Sequence, residues 1–184
     1  YDIDNIETRL GGVSIKDLYD NYNFLRSDLI PYRSPSLEKV KSYGLEVHYM
    51  SYYRKWVPQE NFYYAVKNTM FEPSETRTTG SYSKYSGLDD KLEWLHYYMM
   101  FIKYGMGRAT ADASQEIRNK NITREEGVKL VNLYDSEFPI QHLDVLCEYM
   151  DLSKNKFYNI IDSFRAEHLW KKDKDSWILK HQVE

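Results

Sequence analysis

One cysteine in 184 residues, Cys147, excludes an intrachain disulfide and any cysteine-based zinc site within the chain. It falls in an apolar helical pattern (Leu143, Leu146, Cys147, Met150) and reads as a buried inert thiol, which suits a reducing cytoplasm. Long apolar runs are also missing. The most apolar stretch, Leu92 to Met106, is broken by Glu93, His96 and Lys103, well short of the ~20 apolar residues of a membrane span. No signal peptide is visible, and a chain that begins at Tyr1 is expected to be part of something longer. Charge of one sign is absent as well: 25 Lys and Arg face 28 Asp and Glu, a net charge of −3, with no polybasic block. Nucleic-acid partners are therefore not expected, because that affinity comes from a basic surface. No Gly-x-Ser-x-Gly, His-Glu-x-x-His or paired-Cys motif occurs, the five histidines have no ligand spacing, and no metal site is expected. Gly11-Gly12-Val13-Ser14 lacks the lysine and preceding strand of a nucleotide loop and reads as an ordinary turn.

What the sequence does hold is 42% apolar residues, enough for a globular core without staples, and 18 Tyr, 7 Phe and 4 Trp. The residues through Gly12 read as loop. Ile15, Leu18, Tyr19, Tyr22 and Leu25 predict a helix to about Ser27, and Ser36 caps a short one ending near Gly44. Leu45 to Tyr53 is rich in strand-favouring residues and predicts one strand near 45–52. A lone strand leaves its backbone unpaired, so its neighbours are expected in sequence outside these residues or in a partner. Pro58 opens a helix to about Met70; residues 72–88 read as an ordered loop; a long helix spans roughly Leu88 to Tyr104, ended by Gly105 and Gly107. Helices follow from about Thr110 to Asn119, from the Thr123–Glu126 capping box, from Pro139 and from Ser153. The fold class is mainly α, a helical bundle, divided into 1–57 as a partial α/β domain, 58–170 as a helical domain and 171–184 as a fraying tail with Trp170 and Trp177 as candidate anchors.

Three constellations carry chemistry. Tyr52-Tyr53-Arg54-Lys55-Trp56, after the expected strand, suits an anionic or sugar ligand, or else a solvated turn. In Lys103 to Arg118, Asp112 and Glu116 share a helix face with Arg108 just before them, a substrate-orienting cluster or a plain salt bridge. Thr79-Gly80-Ser81-Tyr82-Ser83-Lys84-Tyr85 reads as a sugar platform or lid, or as simple loop packing.

In order, Tyr52-Tyr53-x-Lys55-Trp56, Thr79-Gly80-x-Tyr82, Leu88-Asp89-Asp90, His96, Lys103 to Arg118 and Ile122 to Gly127 resemble the C-terminal half of N-acetyl sugar amidotransferases, PP-loop ATP pyrophosphatases of bacterial surface-glycan and nonulosonic-acid pathways. The resemblance implies an enzyme that adenylylates a sugar acetamido oxygen and lets ammonia displace AMP, giving an acetamidino sugar for LPS O-antigen or nonulosonic (pseudaminic) acid. It implies ATP and magnesium, a nucleotide-activated N-acetyl sugar and glutaminase subunits that supply ammonia, and it makes the strand near 45–52 one that completes an α/β nucleotide-binding sheet supplied by upstream sequence; a homo-oligomer is kept open as a further partner state. It assigns Arg108 and Lys55 to catalysis, Trp56, Tyr53, Tyr82 and His96 to the substrate, and Asp112 and Glu116 to orienting Arg108 or magnesium. The Ser-Gly-Gly-x-Asp-Ser loop of that family is absent from these residues, so the main ATP site is expected outside this chain and the chain alone is expected to be inactive. The alternative is a non-catalytic helical module that docks a glutaminase or a second copy.

Overall fold

The computed structural model describes residues 9–174 and 176–184; the loop reading of residues 1–8 lies outside the described residues. The chain divides into two compact units, up to Lys55 and from Trp56 onward.

In the first unit, β1 (Arg9–Leu10) pairs antiparallel with β2 (Val13–Ser14). Gly11 and Gly12 both have positive φ, the geometry of a two-residue hairpin turn, so the expected loop is a minimal hairpin. The Ser14 hydroxyl caps α1 (Ile15–Asn21) by accepting from the Asp17 amide at 3.0 Å. The helix stops six residues short of the predicted Ser27. Asn23 takes a left-handed φ of 57°, and a separate turn, α2 (Arg26–Leu29), follows. Ser36 caps α3 (Leu37–Ser42) as predicted. The expected strand at 45–52 is not one. Residues 45–49 carry no regular structure, and α4 (Met50–Tyr53) is a single helical turn. Strand propensity describes fit to a pleated, half-buried surface, and no strand pairs with this segment among the described residues, where Leu45, Val47 and Tyr49 are exposed.

The second unit is helical: α5 (Pro58–Asn68), α6 (Glu93–Tyr104), α7 (Arg108–Asn119), α8 (Arg124–Tyr134), α9 (Leu143–Tyr149) and α10 (Lys154–Ser163). Its core joins Leu95 and Ile102 of α6 to Leu143, Leu146 and Cys147 of α9 and to Phe157 and Ile161 of α10. Cys147 is buried there, as its apolar spacing predicts. The tail does not fray. β3 (Trp170–Asp173) and β4 (Ser176–Leu179) form an antiparallel hairpin, and the buried Trp170 indole donates to the Ile102 carbonyl at 2.7 Å. An anchor on α6 converts a mixed-charge segment into ordered structure, which composition alone does not reveal. Among the described residues, no helix is long and apolar enough to cross a membrane.

α7 has no side-chain cap of its own, because its N-cap is Gly107. Asp135, just after α8, takes that role from a distance. Its buried carboxylate accepts from the Gly107 amide at 2.7 Å, the Thr110 amide at 2.9 Å and the Thr110 hydroxyl at 2.5 Å. A Cβ on residue 107 would stand 2.8 Å from an Asp135 carboxylate oxygen, so only glycine allows this approach. Asp135→Ala leaves those donors unpaired and is expected to lower unfolding free energy by about 3 kcal/mol, with Asp135→Asn intermediate. Urea denaturation checks this; a loss below about 0.5 kcal/mol for the alanine variant would show that α7 does not depend on the cap.

Candidate functional site

The connection between α5 and α6 contains a buried hydroxyl cluster. Thr78, Ser81, Ser83 and Ser86 are all buried. Buried hydroxyls are tolerated when they pair, and these do. Thr78 Oγ1 donates to the Ser86 carbonyl at 2.7 Å, and the Ser83 and Ser86 hydroxyls lie 2.9 Å apart. The Thr78 amide donates to the Ser83 carbonyl at 2.9 Å, folding the segment back on itself. Alternation then places Ser81 and Ser83 inward and leaves Tyr82 and Lys84 more exposed.

α7 meets this loop through Asp112 and Arg108. Asp112 accepts from Arg108 Nε at 2.9 Å with one oxygen and from the Ser81 hydroxyl at 2.5 Å with the other. Arg108 also donates to the Ser86 hydroxyl at 3.1 Å and, at 3.4 Å, to the hydroxyl of Tyr97, whose ring its guanidinium covers at 5.1 Å. Burial pushes the Tyr97 hydroxyl up to about 12 against the opposing pull of Arg108, so it stays protonated. These groups face a cleft of about 460 Å³ whose apolar wall is aromatic. Phe62 stacks on Tyr85 at 4.5 Å and meets Phe71 edge-on at 6.2 Å; Trp56, Tyr82 and Tyr97 complete the wall. The Tyr82 hydroxyl is buried without a hydrogen-bond partner.

A second ion pair fixes the loop from behind. Arg77 grips Glu137 with both terminal nitrogens, at 2.6 and 2.7 Å, lies over the Tyr134 ring at 4.3 Å and donates to the Thr78 and Ser81 carbonyls. Glu137 also accepts from the Gly80 amide at 3.0 Å. The hydrogen bonds to Glu137 hold the Arg77 guanidinium above its ordinary value.

Of the residues expected at the site, Trp56, Tyr82, Arg108, Asp112 and Glu116 line this one cleft. Tyr53 and Lys55 belong to the first unit, where both are exposed and Tyr53 stacks on His48 at 5.7 Å. His96 is exposed on α6 and is not part of the cleft lining. Of what magnesium or a triphosphate needs, the cleft lining holds two carboxylates, fewer than a set that holds a metal ion, and one cation, Arg108, whose charge Asp112 already balances. Among the described residues, no group of three or more His, Cys, Asp or Glu is arranged to hold a metal ion. The sequence reading missed Phe62, Phe71, Tyr97, Ser86, Arg77 and Glu137. The alternation from Ser81 to Ser83 was the available signal for inward serines, while nothing in local sequence links Arg77 to Glu137 sixty residues away.

Residues 79–183, more than half of the chain, match the family model described as "LPS biosynthesis protein WbpG-like, C-terminal domain". No curated protein matches the chain. The matched stretch includes the serine loop from Thr79, α6, α7 and both partners of the Arg108–Asp112 pair.

Arg77→Lys keeps the charge but loses the two-pronged grip on Glu137. For a pair this exposed, the expected loss is about 1 kcal/mol of stability, with faster hydrogen exchange confined to the Gly80–Ser86 amides. Uniformly faster exchange, reaching α10, would contradict a local clamp.

Proposed function

The chain belongs to this family of LPS biosynthesis proteins, and from that premise we propose that it is the C-terminal portion of an ATP-dependent N-acetyl sugar amidotransferase whose aromatic cleft holds the acetamido sugar. The carrying observation is the pairing of an aromatic wall with a polar cluster in which Arg108 and Asp112 balance each other. Trp56, Phe62, Tyr82 and Tyr85 offer flat faces to the C–H surface of a sugar ring, while Asp112 and the hydroxyls of Ser83, Ser86 and Tyr82 offer hydrogen bonds.

In the proposed reaction the acetamido oxygen attacks the α-phosphorus of ATP, pyrophosphate leaves, and the oxygen becomes esterified to AMP. Ammonia then adds to the imidate carbon, and the C–O bond breaks with the oxygen departing on AMP, leaving an amidine. An amide oxygen is a poor leaving group and AMP a good one, which is why the adenylyl step is needed. ATP and magnesium are assigned to the rest of the enzyme, and ammonia to a glutaminase partner. Here Arg108 acts as a positioning residue that orients Asp112, and Trp56 and Tyr82 contact the sugar. Tyr53 and Lys55, which belong to the first unit, and the exposed His96 are given no role here.

Saturation-transfer NMR with N-acetylglucosamine and with ATP tests this on the chain itself. The sugar is expected to receive saturation on its ring and acetyl protons, lost in Tyr85→Ala, while ATP receives little. Strong, adenine-centred transfer from ATP would overturn the assignment of the cleft to the sugar.

A further inference from the structure

The charged groups lining the cleft are Arg108, Asp112 and Glu116, one positive and two negative. Arg108 and Asp112 cancel as an ion pair at 2.9 Å. Glu116, one helical turn beyond Asp112 on the same face of α7, receives only the neutral amide of Asn121 among the described residues. The cleft therefore carries one uncompensated negative charge. Its aromatic wall points the same way, because the faces of aromatic rings are the negative ends of their quadrupoles and attract cations.

The same charges act on Tyr82 and Tyr85, at two positions on the wall. Burial raises both hydroxyls above their ordinary value, and Asp112 and Glu116 raise them further. At each tyrosine either carboxylate acts more strongly than the opposing Arg108.

We propose that this cleft selects ligands bearing a planar nitrogen cation, an amidinium, over the neutral amide of the same shape, with Glu116 as the residue that sets the preference. An amide and an amidinium are nearly isosteric: the carbonyl oxygen is exchanged for a nitrogen and the group becomes positively charged at neutral pH. A flat cation of that kind lies against Tyr85 or Phe62 and turns its N–H groups toward Glu116. The inference rests on the sugar-cleft reading only for the identity of the natural cation, which would be the amidino product. The cleft then holds product more tightly than substrate, and release of product becomes a step that Glu116 slows.

Acetamidinium chloride and acetamide, titrated at matched ionic strength into the 184-residue chain and followed by amide NMR, test the proposal. Acetamidinium is expected to bind at least about fivefold more tightly, the size of one screened charge contact, with shifts centred on Tyr82, Tyr85 and Glu116. The preference should shrink as salt is raised. In Glu116→Gln the two probes should bind within about twofold of each other. Equal binding of the two probes to the native chain overturns the proposal, as does a preference that survives Glu116→Gln or shifts that fall outside the cleft. If N-acetylglucosamine still binds while the two probes are not distinguished, the charge inference fails and the sugar site stands. If acetamidinium is preferred but the sugar does not bind, the cation preference stands and the sugar assignment fails.

Discussion

Asp112 is the joint on which the cleft depends. With two oxygens it ties a helix to a loop: Arg108, on its own helix, on one side, and Ser81 of the serine-rich connection on the other. A single carboxylate between a cation and a hydroxyl is a strong, directional contact in a half-buried setting. Through Ser81 it also reaches the second ion pair, because Arg77 donates to the Ser81 carbonyl while gripping Glu137. The serine loop is thus held at its front by α7 and at its back by the segment after α8. The aromatic wall is placed by the same arrangement, since Tyr82 and Tyr85 are carried on that loop.

α7 must itself be held for this joint to mean anything. Its first turn is built on a glycine and capped by Asp135 from the end of α8, so the helix that carries Arg108, Asp112 and Glu116 starts from a fixed point. The core formed by α6, α9 and α10 is a distinct apolar cluster in the same unit, and α6 contributes Tyr97 to the cleft as well. Stability and site shape therefore rest on partly separate contacts.

The sequence was most legible where a signal is local. Ser36 and Ser153 each cap the helix that follows, as read, and the Thr123–Glu126 capping box has both of its hydrogen bonds. The apolar spacing of Leu143, Leu146, Cys147, Phe157 and Ile161 marks the core they form. Asp112 and Glu116 were readable as one helix face with Arg108 just before them, and α7 starts early enough to carry Arg108 as well. Signals that depend on distant partners were not readable. Leu45–Tyr53 has strand composition, yet a strand exists only with a neighbour, and here the segment is irregular with one helical turn. Trp170 becomes an anchor only because the Ile102 carbonyl lies within reach, and Asp135 becomes a cap only because Gly107 lets it approach.

The most direct measurement of this account is hydrogen exchange and sugar binding in Asp112→Asn, a change of nearly no volume that removes the charge and one acceptor. The account predicts that the Ser81, Tyr82 and Ser83 amides exchange at least about tenfold faster, that N-acetylglucosamine saturation falls to background, and that α9 and α10 keep native protection. Unchanged exchange in the loop together with undiminished sugar binding would contradict it.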